Sequence, residues 1–178
     1  MHTMLDLETL GTGPNALILS IGAVKFNLKN LTLGEQFHIS VDLGTLRTDA
    51  YGFDIDPGTV KWWLHADRQP GRDALDAAPK TDLPSMLEGF ALWMGDDNFV
   101  WGNGSSFDNV VLRNAYEKLG MEPPWPYWKD RCYRTVKNLA PDLTIQRLGA
   151  HHNALDDARS QATHMLALFE KLGLREAF

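Results

Sequence analysis

The chain has almost no cysteine. One residue, Cys132, among 178 cannot form an internal disulfide framework or a cysteine-rich zinc site. It also lacks any apolar run long enough to cross a bilayer, so no membrane association is expected. The first residues, Met1-His2-Thr3-Met4-Leu5-Asp6, have no basic stretch followed by an apolar one, so they do not resemble a secretory signal. These features point to a protein of a reducing cytoplasm. An excess of positive charge is missing too. The net charge of −6 argues against a protein that grips nucleic acid through a broad basic surface. It is compatible with a site rich in carboxylates that divalent cations offset. Neither repeats nor low-complexity segments interrupt the sequence, and 44% of its residues are hydrophobic, enough for a real core. Residues 1–178 therefore read as a single domain.

Hydrophobic periodicity then separates the elements. Leu5-Asp6-Leu7-Glu8 alternates apolar and acidic residues with the period of a strand and runs into the turn Gly11-Thr12-Gly13-Pro14-Asn15. Leu17 to Phe26 and Gln36 to Val41 follow as strands, making a meander at one side of a sheet. Residues 43–57 read as a connection. Pro57-Gly58 precedes a helix through Val60–Leu64, and Pro70-Gly71 reads as a break before a short helix over Arg72–Ala77. A longer helix is expected over Leu83–Met94, with Pro84 in its first turn, then a buried strand over Asn98–Trp101. Ser106 is the expected N-cap of a helix running to Leu119. The segment Pro123-Pro124-Trp125-Pro126-Tyr127-Trp128 reads as an extended aromatic loop, equally a self-packed loop or a homodimer contact. The last helix spans Ala154–Leu172, with an apolar stripe of Leu155, Ala158, Ala162, Met165, Leu166, Phe169 and Leu172. Strands first, then helices interleaved with a further strand, predict an α/β fold with a mixed central sheet flanked by helices.

Three segments carry candidate chemistry. Residues i and i+2 of a strand share a face, so Asp6 and Glu8 project side by side. Two carboxylates so close raise each other's pKa unless a cation lies between them. Asn103-Gly104-Ser105-Ser106-Phe107-Asp108 follows a strand and opens a helix, placing Asp108 near the end of the sheet. His151-His152-Asn153-Ala154-Leu155-Asp156-Asp157 precedes and begins the last helix. His152 and Asp157 are five apart, about 140° around an ideal helix, so both cannot be helical and share a face. His152 is therefore expected on the loop, Asn153 as N-cap, and Asp157 in the first turns. Asp156 points elsewhere and complements the helix dipole. Each segment alone has a bland explanation: a solvated acidic edge, a helix-dipole acid, two surface histidines. Taken together they supply four carboxylates, and oxygen ligands of this kind suit Mg²⁺ or Mn²⁺ rather than zinc. A carboxylate cluster with one histidine outside the ligand set suits two-metal phosphodiester hydrolysis.

In that order the segments resemble the three motifs of the DnaQ-like, or DEDDh, 3′→5′ exonucleases. Asp6-Leu7-Glu8-Thr9 is similar to the first, Asn103 with Phe107-Asp108 to the second, and His152 followed by Asp157 to the third. Within that family Asp54 to Trp63 and Ile18 to Val24 are similar to small phage and bacterial exonucleases of the exonuclease VIII-like or exoribonuclease type. The resemblance implies an RNase H-like fold with five strands. It implies that Asp6, Glu8, Asp108 and Asp157 hold two divalent ions, Asp6 bridging them, with His152 as general base. The substrate it implies is the 3′ end of DNA or RNA, shortened by one nucleoside 5′-monophosphate at a time. Backbone groups at Thr9 and Leu10 are expected to meet the terminal sugar. Asn103, Phe107 and Trp63 complete the expected substrate contacts, although Trp101 and Phe107 read first as core residues. Trp62 and Trp63 are adjacent on a helix, so one faces the core and the other is free for the cleft. An RNase H-like endonuclease, a silent binding module on the same fold and a proofreading subunit of a polymerase are the competing readings.

Overall fold

In the computed structural model, which describes residues 1–46, 51–96 and 98–174, a six-stranded sheet runs through the molecule in the order β4-β3-β2-β1-β5-β6. The strands are β1 (His2–Thr9), β2 (Ile18–Asn27), β3 (Thr32–Val41), β4 (Lys80–Thr81), β5 (Phe99–Gly102) and β6 (Asp130–Cys132). The first three form the expected antiparallel meander. The remaining pairs, β1 with β5, β5 with β6 and β3 with β4, are parallel, so the sheet is mixed. The expected count of five is corrected to six. β4 and β6 are two and three residues long, too short to show any period in the sequence.

Six α-helices are described: α1 (Pro57–Trp63), α2 (Gln69–Ala77), α3 (Leu83–Met94), α4 (Asp108–Lys118), α5 (Tyr133–Lys137) and α6 (Ala154–Leu172). Asp56 caps α1 by accepting from the Thr59 amide, and Asp82 caps α3 through Ser85. Pro70 does not break the chain. It occupies the first turn of α2, where its missing N–H costs nothing. Ser106 is not the cap of α4. Phe107 holds that position and its side chain makes no capping bond. The connection at 43–57 contains a 3₁₀ turn over Leu43–Thr45, and residues 47–50 within it lie outside the described residues.

Alternation along the strands divides the core into two. Leu5 and Leu7 of β1, Ile21 and Ala23 of β2, and Val100 of β5 face α3 and α4. Met4, Val24 and Trp101 face α5 and α6 on the opposite side. Asp6 and Glu8, in phase with Met4, therefore point to the α6 side. Helix α6 buries Ala154, Ala158, Ala162, Met165, Leu168 and Phe169. The stripe is thus rotated slightly from the expected one, with Leu168 inside and Leu155 only partly buried. Three alanines at four-residue spacing leave little between helix and sheet. Gly22, paired with Asp6 across the strands, completes the close approach: a Cβ there would lie 2.0 Å from the Ala154 carbonyl carbon. The aromatic loop divides in two. Trp125 is buried, with its indole N–H donating to Asp130, whereas Tyr127 and Trp128 are exposed.

Candidate active site

Three elements bring the carboxylates together at the C-terminal ends of the parallel strands. Asp6 and Glu8 come from β1, Asp108 from the first residue of α4, and Asp157 from the first turn of α6. They line one cleft of about 300 Å³ with Asn103, Phe107 and His152. Oxygens of Asp6, Glu8 and Asp157 lie within 4.8 Å of one another. Asp108 stands beside them, its Oδ1 accepting the Leu7 amide at 3.3 Å.

The geometry at His152 resolves the spacing problem posed by the sequence. Asn153 is the N-cap of α6 and accepts from the amides of Leu155 and Asp156. His152 precedes it with φ of 64°, a left-handed conformation uncommon outside glycine. Its own N–H donates to Asp157 Oδ2 at 3.0 Å, which holds the loop in that conformation. Asp156 also has a more definite role than complementing a dipole. It accepts the Ala150 amide and pairs with Arg159, fixing the segment that leads into His152.

Electrostatics explain what such a cluster demands. Burial drives the Asp6 carboxyl well above its ordinary range, and Asp108, Glu8 and Asp157 push it further. Glu8 is raised to about 8 by burial, then by Asp157 and Asp108. Asp108 is raised to about 7 by burial, against the amides of Leu7 and Asn103. Asp157 is also raised, again chiefly by burial. His152 moves the other way, to about 4, through burial and the nearby cations. Among the described residues neither Asp6 nor Glu8 has a Lys or Arg partner. Crowded, desolvated oxygens without a protein cation fit a hard divalent ion such as Mg²⁺ or Mn²⁺.

Groups with raised folded pKa favour the fold while protonated, and that contribution is full below the unfolded value, 4.5 for Glu8. It is lost as pH rises through about 8. Metal-free protein should therefore lose stability between pH 4.5 and 8. Divalent ions, which bind the ionised form, should raise Tm more at the upper end of that window than at the lower. Melting curves with Mg²⁺ or EDTA at both ends check this. An equal Mg²⁺ shift at both would contradict the electrostatic account.

Several residues near the site lie outside the three motifs. Gln161 donates to Asp6 Oδ1 at 2.8 Å. Its position, four residues after Asp157 on one helix face, was the available clue. Arg147, Arg134 and Lys137 line the same cleft as the acids. Arg134 donates to the Asn103 carbonyl and so steadies the turn before Asp108. Both tryptophans line one groove beside the cleft, but they are exposed to different extents. Trp63 is 5% exposed, with its indole N–H donating to the Thr9 carbonyl, whereas Trp62 is 37% exposed. Trp62 packs edge-on to the His152 ring at 4.7 Å between centroids and lies under Arg68. The Leu10 amide donates to the Leu17 carbonyl. Thr9 does face a groove beside the cleft, with Trp62 and Phe107; Phe107 lines both. Trp101 is core, as its first reading had it.

Four carboxylates and a loop histidine, at the strand ends of an RNase H-like mixed sheet, make the arrangement of a DEDDh 3′→5′ exonuclease. The chain belongs to the Rv2179c-like 3′-5′ exoribonuclease domain family, whose model matches residues 1–169. No curated protein sequence matches it. The fold is similar to the nuclease domain of 3′hExo, a DEDDh family member bound to rAMP. The TM-score is 0.65 at 15% identity, covering 95% of this chain and 91% of that one. It is similar too to E. coli exonuclease I in complex with a 5cy-dT13 oligonucleotide. There the TM-score is 0.68 at 15% identity, covering 98% of this chain and 42% of that one. This chain thus spans less than half the length of exonuclease I.

Proposed function

We propose that this exonuclease removes nucleoside 5′-monophosphates one at a time from the 3′ end of RNA, with two divalent metal ions held by Asp6, Glu8, Asp108 and Asp157. The observation that carries the reading is the meeting of Asp6, Glu8 and Asp157 oxygens within 4.8 Å, beside a histidine on the cleft wall. The family description supports RNA as the polymer. When bound, such ions activate a water and stabilise the departing oxygen as Lewis acids.

The protein groups divide the remaining work. His152 is neutral at pH 7 and so free to take the proton of the attacking water. The approaching phosphodiester brings negative charge to the imidazole and raises its pKa toward the working range. The resulting hydroxide attacks the last phosphorus in line. The bond to the 3′-oxygen breaks, and that oxygen takes a proton from solvent. Gln161 holds Asp6 in orientation through its amide. The terminal base enters the groove of Thr9, Trp62 and Phe107, where stacking on an aromatic face contributes about 1–3 kcal/mol.

The test uses 5′-labelled RNA and DNA of matched sequence with Mg²⁺, with Mn²⁺ and with EDTA. A ladder shortening from the 3′ end of RNA, abolished by EDTA and by a 3′-phosphate block, is expected. Internal cuts would replace this reading with an endonuclease. Intact RNA under every metal condition would replace it with a binding module.

A further inference from the structure

Resting on that metal-binding reading, we propose that Arg147 is a displaceable latch: it stands on Asp157 until a divalent ion arrives, then passes to a backbone phosphate of the RNA. Of the four carboxylates, Asp157 is the one joined to a protein cation among the described residues. Its Oδ1 accepts from Arg147 Nη1 at 2.8 Å, while Oδ2 is held by the His152 amide. Asp6 is instead held by a neutral amide, that of Gln161, and Asp108 by the Leu7 backbone. Each Asp157 oxygen thus already accepts one hydrogen bond, and a divalent ion arriving at Oδ1 meets the like charge of the Arg147 guanidinium, which favours withdrawal of one partner. The His152 amide belongs to a backbone fixed by the Asn153 cap and cannot leave without unwinding the start of α6. The guanidinium can. It is 53% exposed, and Asp157 supplies its hydrogen bond.

The surroundings let the side chain move while its backbone stays in place. The Leu148 amide donates to Ser160 Oγ at 2.8 Å and the Ala150 amide to Asp156 at 2.9 Å. Displacement therefore needs rotation about side-chain bonds alone. Arg147, Arg134 and Lys137 all line the cleft that holds the acids and give it a basic wall. A phosphodiester lying along the carboxylates passes this basic wall. The forked guanidinium matches phosphate as well as carboxylate, so Arg147 exchanges one anion for another. In a chain of net charge −6, this wall is where the anionic polymer finds compensation next to the chemistry.

Two measurements on Arg147→Gln, with opposite expected signs, test the latch. Without RNA, calorimetric titration with Mn²⁺ should show tighter binding by about two- to fivefold, the scale of an exposed ion pair removed from competition. With RNA, KM for a short oligonucleotide should rise about tenfold, the scale of one hydrogen bond to a charged group. Arg147→Lys should fall between, since it keeps charge and loses the fork. Unchanged or weaker Mn²⁺ binding in Arg147→Gln, with wild type still binding Mn²⁺, overturns the latch and leaves the proposed function standing. Tighter Mn²⁺ with an unchanged KM overturns the transfer to phosphate. Failure of wild type to bind Mn²⁺ overturns both the latch and the metal-dependent function.

Discussion

Replacing His152 by asparagine is expected to lower kcat on RNA by about 10²–10⁴-fold, the contribution of a positioned general base. Asparagine is chosen because the residue has φ of 64°, and asparagine tolerates that conformation better than alanine does. The backbone N–H that donates to Asp157 is kept, so the carboxylate stays oriented. What is lost is the imidazole, packed edge-on against Trp62 and held neutral by its surroundings. The variant should therefore keep its Mg²⁺-induced rise in Tm while losing turnover. Single-turnover hydrolysis beside melting curves separates the two. Activity within threefold of wild type, with metal binding intact, would remove His152 from the chemistry.

Gly22→Ala should destabilise the protein by about 3 kcal/mol, the upper end of ordinary overpacking. The added methyl would lie 2.0 Å from the Ala154 carbonyl carbon and 2.1 Å from the Leu155 amide nitrogen. Both are backbone atoms of the first turn of α6, so no side chain can rotate away. Either the helix lifts from the sheet or β2 bends. Lifting the helix carries Asp157 and Gln161 away from Asp6, so activity should fall further than the unfolded fraction explains. Gly13→Ala is the control, since a Cβ there meets nothing within 4 Å. Urea denaturation of both variants reads the difference, and equal midpoints would show that the sheet and helix have room to spare.

The site was legible in the sequence because its motifs obey local geometry. Period-two alternation put Asp6 and Glu8 on one face, and the 140° mismatch put His152 off the helix. The cap at Asn153 and the span of α6 follow from the same local rules, and the structure agrees with both. What escaped depends on contacts remote in sequence. Nothing near Arg147 says that it meets Asp157, and nothing near Gln161 names Asp6 as its partner. The choice between Trp62 and Trp63 turned on which indole the Thr9 carbonyl accepts from, a contact spanning 54 residues. Strands β4 and β6 escaped for another reason. They extend the sheet through backbone pairing alone, with too few residues for a pattern.

The pairing of the first strand with the last helix also sets when the enzyme can act. Synthesis proceeds from the N-terminus, so Asp6 and Glu8 leave the ribosome before Asp108. His152 and Asp157 arrive only with the start of α6. A nascent chain ending before residue 152 holds all six strands of the sheet, but an incomplete set of the proposed ligands and not the proposed base. Emerging from a particle made largely of RNA, a nuclease that works through these residues is thus inert until α6 has been translated and has closed down on Gly22.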